Sequence, residues 1–74
     1  MPNLVHPLAG AEPVDQQGTP LGRPVDLPPG TEFIVTIRKL RRPSASFDEL
    51  WCEILVADRL YRVPLRLLDI AKAA

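Results

Sequence analysis

The sequence predicts an all-β domain, a small antiparallel barrel that follows an irregular extension rich in proline and glycine. Three observations predict it. Residues 33–70 hold 19 apolar or aromatic side chains in 38 positions, alanine not counted, including every aromatic residue of the chain. Within that stretch, apolar and polar residues alternate with the period of two that is typical of strands. Residues 1–32 instead hold seven of the nine prolines, all four glycines and no periodicity.

The first predicted strand covers residues 33–38, a run of β-branched residues that alternates in polarity. This alternation places Phe33, Val35 and Ile37 on one face of the sheet. Ile34 then lies on the other face, as Leu55 does in the next strand, so apolar side chains are expected on both faces. Residues 41–49 follow without a strand pattern and contain a proline, which cannot donate to a strand ladder. We therefore expect a long surface loop there.

A β-hairpin is predicted next. Residues 50–56 alternate again, and residues 60–63 resume a strand pattern after a short break. Asp58 lies in that break, and aspartate favours tight turns because its side chain bonds its own backbone and tolerates left-handed geometry. We expect residues 57–59 to connect the two strands.

The C-terminal segment leaves two interpretations open. Pro64 ends the third strand, and residues 65–68 then form a short turn that leads to a last strand at 68–70. A helix over residues 65–73 is the alternative, because proline is well tolerated in the first turn of a helix. We favour the turn and strand, and expect residues 72–74 to fray.

Three segments share an order known from other small barrels. Residues 27–31 (Leu-Pro-Pro-Gly-Thr) enter the first strand, Trp51 lies in the second, and residues 61–64 (Tyr-Arg-Val-Pro) precede the turn. Over residues 27–70 this order resembles the SH3-like small barrels. The resemblance implies an SH3-like barrel over residues 30–71, preceded by an extension over residues 1–29.

Catalysis is not expected. The plasmid-borne type II dihydrofolate reductases are also short SH3-like barrels, but residues 65–68 read Leu-Arg-Leu-Leu where that family has its Val-Gln-Ile-Tyr motif. No substrate-contacting residue therefore carries over. His6 has no acid or nucleophile near it in sequence, and Cys52, in mid-strand, is expected to be a small buried hydrophobe. We predict no catalytic residue, no metal site and no cofactor.

The small size of the domain predicts a partner. A chain of 74 residues with one cysteine has neither a large core nor an internal disulfide, so association with itself or another protein is expected to supply the missing burial. Trp51 is a predicted partner anchor; for Tyr61, core packing is favoured. The extension is predicted to be disordered alone, or docked on a partner through seven apolar side chains: Leu4, Val5, Leu8, Val14, Leu21, Val25 and Leu27.

The charge pattern leaves one alternative function. Formal net charge is zero, which excludes a global field that attracts nucleic acid. A local basic run nevertheless offers contacts to phosphates or to an acidic partner. We expect a non-catalytic protein-interaction module, a small accessory subunit, with an RNA- or DNA-binding barrel as the alternative. The basic run consists of Arg38, Lys39, Arg41 and Arg42.

The expected location is the cytoplasm. No apolar run approaches the ~20 residues that span a bilayer, and the N-terminus lacks the basic and apolar segments of a signal peptide. A single free cysteine is typical of a reducing compartment.

Overall fold

The described part of the chain forms five strands and one helix. The computed structural model describes residues 2–40 and 49–73, with backbone alone at residues 39 and 40. The strands are β1 (Leu8–Val14), β2 (Val25–Leu27), β3 (Ile34–Leu40), β4 (Trp51–Val56) and β5 (Arg59–Pro64), and the helix is α1 (Leu65–Lys72). The loop predicted over residues 41–49 lies outside the described residues, except for residue 49.

All strand pairs are antiparallel, in the order β2-β1-β5-β4-β3. The predicted small antiparallel β fold is therefore confirmed. The sheet is not closed into a barrel: β2 and β3 are its two edges. An open sheet of this kind buries one face under other elements and leaves the second face to solvent or to a partner.

The predicted hairpin is confirmed. Six residue pairs join β4 to β5, from Trp51 opposite Pro64 to Val56 opposite Arg59. The connection is the two-residue turn Ala57-Asp58, and both residues have positive φ, 48° and 67°. Two-residue hairpins favour such left-handed turns because their twist matches that of the strands.

A register shift in β3 changes the predicted faces. Val35 lies opposite Ile54, but Ile37 lies opposite Glu53, so the ladder gains one residue between them. An extra residue reverses the alternation that follows it. Phe33 is buried and Val35 packs on the core as predicted, whereas Ile37 lies on the opposite face and is 40% exposed.

The N-terminal residues form part of the fold, which differs from the irregular extension predicted over residues 1–29. β1 lies inside the sheet, between β2 and β5. Its buried residues are three apart (Leu8, Ala11 and Val14). The pairing with β2 shifts between Leu8 and Ala11, which keeps both on the core, whereas Val14 is buried on the opposite face. A period of two therefore could not reveal this strand, and its pairing with β5 is a long-range contact.

The C-terminal segment is helical, so the favoured prediction of a turn and strand is wrong and the alternative is observed. Pro64 is the N-cap residue of α1. Leu68 and Ala71 are three apart and both buried, which is the spacing of one helix face. The backbone N–H groups of Val5 and His6 donate to Ala71 O at 2.8 and 2.9 Å, so the N-terminal segment binds the last turn of the helix.

The core lies between one face of the sheet and a cover made by α1 and the N-terminal segment. Each large apolar side chain buried there contributes about 1.5–3 kcal/mol relative to exposure. Val35, Val56, Tyr61 and Leu65 pack against this core, which confirms the core packing favoured for Tyr61. Its buried members are Leu4, Leu8, Ala11, Leu27, Phe33, Cys52, Ile54, Val63, Leu68 and Ala71.

Candidate docking surface on the outer face of the sheet

The face of the sheet turned away from α1, called the outer face below, carries an unusual set of apolar residues. Cys52, Ile54 and Val63 point into the core, so their neighbours on β4 and β5 belong to the outer face. The strand registers then align one residue from each of four strands. This apolar row consists of Val14, Leu60, Leu55 and Ile34, in the order β1, β5, β4, β3.

Exposure rises along the apolar row. Val14 is 2% exposed, Leu60 and Leu55 are half-buried, and Ile34 is 45% exposed. The solvated face of an antiparallel sheet normally carries polar residues at these positions. A contiguous apolar patch on such a face is the usual mark of a contact surface.

The next row along the strands combines charges. Arg62 lies opposite Glu12 on one side and Glu53 on the other, and Ile37 completes the row on β3. Glu53 is only 9% exposed, which is unusual for a carboxylate. The register thus places a basic residue between two acidic ones, an arrangement in which interacting cross-strand pairs contribute about 0.2–1 kcal/mol each.

A tight turn borders the outer face beyond β1. Asp15 Oδ1 accepts hydrogen bonds from the N–H groups of Gln17 and Thr19, at 2.8 and 2.9 Å. Gly18 has a φ of 85°, and its carbonyl oxygen accepts a hydrogen bond from the Arg62 guanidinium. A Cβ at residue 18 would lie 2.7 Å from Arg62 Nη2, so a larger residue there would displace the guanidinium, while the positive φ itself favours glycine.

Two depressions flank Leu55 next to the hairpin turn. The first is a cleft of about 790 Å³ whose apolar wall is Val14, Leu21, Leu55 and Leu60 and whose rim carries Asp15, Arg23, Asp58 and Arg59. The second, of about 380 Å³, includes Ile34, Leu55 and Val56. Together they extend the apolar row into a grooved surface with charges of both signs at its edge.

The predicted partner-binding residues occupy different environments. Leu4, Leu8 and Leu27 are 2%, 1% and 6% exposed in the core of their own chain, so we correct them from partner contacts to core residues. The reason is that β1 and β2 pair within the sheet. Three others remain exposed, and Trp51 lies half-buried on the outer face, opposite Pro64. The exposed three are Val5, Leu21 and Val25.

The basic run is only partly described. Arg38 Nη2 lies 3.7 Å from Asp69 Oδ1 on α1, and Lys72 Nζ lies 3.4 Å from the same atom. Arg41 and Arg42 lie outside the described residues, and Lys39 is described by its backbone. Of these four cations, Arg38 is the one whose side chain is described, and it lies near Asp69, which Lys72 also contacts.

The residues considered for catalysis, His6 and Cys52, do not form a common site. Cys52 is fully buried and its Sγ donates to Val63 O at 3.5 Å. Burial, and secondarily the negative charge of Asp69, raises the pKa of the Cys52 thiol to about 11, so the reactive thiolate is disfavoured. His6 is exposed. Among residues 2–40 and 49–73, no three His, Cys, Asp or Glu side chains form a metal-binding group.

No helix of the described residues is both long and apolar enough to cross a membrane. Comparison with known proteins finds no matching family model and no significantly similar curated protein or solved structure.

Sequence reasoning found part of this surface. The apolar character of Ile34 and Leu55 predicted that both faces of the sheet carry apolar side chains. The pairing of Leu60 with Leu55 was not predicted, because residues 57–59 were expected to connect the strands and the observed turn is Ala57-Asp58 alone. Val14 was predicted as an anchor of the extension and not as a member of this sheet face, and the charged row was missed, because both depend on where β1 joins the sheet.

Proposed function

We propose that the protein is a non-catalytic protein-interaction module whose docking surface is the outer face of its sheet. The supporting observation is the apolar row, which crosses four strands and becomes more exposed from Val14 to Ile34. Leaving these side chains in water costs about 25 cal/mol per Å² of apolar surface, which a docked protein would recover.

A small accessory subunit of a larger assembly is the form of this function that we expect. Val5 and Val25 are exposed and lie outside the outer face, so they offer a second contact region. The resemblance to SH3-like barrels is kept as an analogy, since such barrels commonly serve as interaction modules. The cytoplasm is the compartment proposed, on the basis of the single cysteine.

Nucleic-acid binding is the less favoured alternative. It depends on the basic run, and Arg38 is partly compensated by Asp69 within the chain. A cation that is already close to an acidic residue of its own chain contributes less to phosphate binding than an uncompensated cation does.

The test compares two matched charge insertions in the full chain. Tagged wild type, Leu55→Lys and Ile70→Lys proteins are isolated gently from the native host and examined by native mass spectrometry. Ile70 is 62% exposed on α1, away from the outer face. We expect protein complexes with wild type and Ile70→Lys, and their loss with Leu55→Lys, because docking would bury an unpaired ammonium.

Two results would contradict the proposal. One is complexes that survive Leu55→Lys in a protein shown by circular dichroism to be folded. The other is recovery of nucleic acid alone, released by salt and lost in an Arg41→Ala, Arg42→Ala double variant, which would favour the alternative function.

A further inference from the structure

The outer face is complementary to itself. On the outer face of the β4–β5 hairpin, residues that face each other are either both apolar or of opposite charge. Leu55 faces Leu60, and Glu53 faces Arg62. A two-fold rotation that lays β4 of one copy over β5 of another therefore places leucine over leucine and glutamate over arginine.

We propose that the occupant of the outer face is a second copy of this chain, related by a two-fold axis that runs along the hairpin between β4 and β5. The inference deepens the proposed function and rests on it, because it names the partner of the same surface. In such an isologous contact, the same patch serves both subunits. The two sheets pack face to face, aligned and about 10 Å apart, as in β-sandwiches.

This axis sets specific contacts between the copies. Leu55 of each chain lies over Leu60 of the other, and Glu53 lies over Arg62 of the other. Glu53 is 9% exposed and Arg62 is half-buried, so this pair meets through the atoms that reach the surface of each sheet. One guanidinium nitrogen of Arg62 is held by Gly18 O, which orients the group on the outer face.

The same axis also places the exposed Ile34 side chain of one copy over the cleft beside Val14 of the other. Ile34 is the most exposed member of the apolar row, and Val14 is the most buried. The rotation brings Ile34 of one copy over Val14 of the other, into the cleft lined by Leu21 and Leu60. The remaining pair of the charged row, Ile37 over Glu12, is not complementary, so the contact is strongest at the central strands and toward the hairpin turn.

Pairing through the edge of β3 is a poorer route to a dimer. Its ladder with β4 shifts register twice, between Val35 and Ile37 and between Ile37 and Leu40. Bulges twist an edge away from a flat partner, and cations on the edge, such as Arg38, discourage strand addition. The outer face carries neither obstacle.

The experiment uses the purified full chain with native mass spectrometry and sedimentation equilibrium. Wild type should have twice the 8.2 kDa chain mass. Leu55→Lys and Leu60→Glu, each alone, should weaken the dimer by about 100-fold or more, because each homodimer buries two unpaired charges. Both positions are half-buried, and circular dichroism checks that each variant folds.

Mixing the two variants tests the position of the axis. In a mixed dimer, the introduced lysine of one chain would meet the introduced glutamate of the other. The second contact of the pair would keep its wild-type residues, Leu60 of the first chain against Leu55 of the second. A heterodimer should therefore form from two monomeric proteins, and Ile70→Lys, on the helix, should remain dimeric. A mixture that stays monomeric, or a heterodimer formed instead by Leu55→Lys with Leu55→Glu, would overturn the proposed axis.

Other outcomes separate this inference from the proposed function. A monomeric wild type that binds a different protein, with binding lost in Leu55→Lys, overturns the second copy as occupant and leaves the docking surface standing. A dimer unaffected by Leu55→Lys overturns the inference. If neither self-association nor binding of another protein responds to that variant, the inference and the proposed function fail together.

Discussion

Replacing Leu4 by alanine tests whether the N-terminal segment is part of the fold or an appended tail. Leu4 is 2% exposed in the core, while its neighbour Val5 is 44% exposed. The backbone at Leu4 also bonds the turn before β3, through Leu4 N to Thr31 O at 2.9 Å and Gly30 N to Leu4 O at 2.7 Å. The substitution leaves those bonds in place and removes core volume alone.

The expected loss is large relative to the stability of so small a domain. Buried leucine-to-alanine substitutions cost about 3–5 kcal/mol. A chain of 74 residues has a free energy of unfolding of about 4–11 kcal/mol in total. Val5→Ala, at an exposed site in the same segment, should cost no more than about 0.5 kcal/mol.

Urea unfolding followed by circular dichroism measures both variants. With an m-value of about 1 kcal/mol/M, Leu4→Ala should lower the midpoint by about 3 M or leave the chain unfolded in water. All proteins are compared at one concentration, because self-association raises apparent stability. If Leu4→Ala and Val5→Ala unfold at the same urea concentration, the segment does not pack as described and the tail interpretation returns.

Two further predictions concern backbone geometry and pH. Gly18→Ala should lower stability slightly more than Gly10→Ala: both residues have positive φ, but only at Gly18 would the new methyl group displace the Arg62 guanidinium from its hydrogen bond with the Gly18 carbonyl, and equal unfolding midpoints would contradict this. Folding raises the pKa of the Cys52 thiol from 9.0 to about 11, so the unfolded chain loses this proton at a lower pH than the folded chain does. The stability that the neutral buried thiol contributes is therefore complete below pH 9 and is lost as the pH rises toward 11. The free energy of unfolding of wild type should therefore fall by about 1.4 kcal/mol per pH unit more steeply than that of Cys52→Ala in this range, and parallel curves would refute the assignment.

Local sequence patterns determined which elements of secondary structure could be predicted. Alternation in residues 50–56 and 60–63, with a turn-forming aspartate between them, sufficed for the hairpin because its contacts join neighbouring residues. Pro64 permitted a strand end and a helix start equally. The choice of α1 came from burying Leu68 and Ala71 against the sheet, which is a tertiary effect.

The sequence by itself determined an antiparallel β protein with apolar residues on both faces of its central strands, a buried cysteine and no disulfide. Only the tertiary structure decided that residues 8–14 enter the sheet beside β5, because that strand has no period of two and its partners lie far along the chain. The same pairing aligned Val14 with Leu60 and Glu12 with Arg62. The candidate docking surface is thus built from residues that are separate in sequence and become neighbours only through strand register.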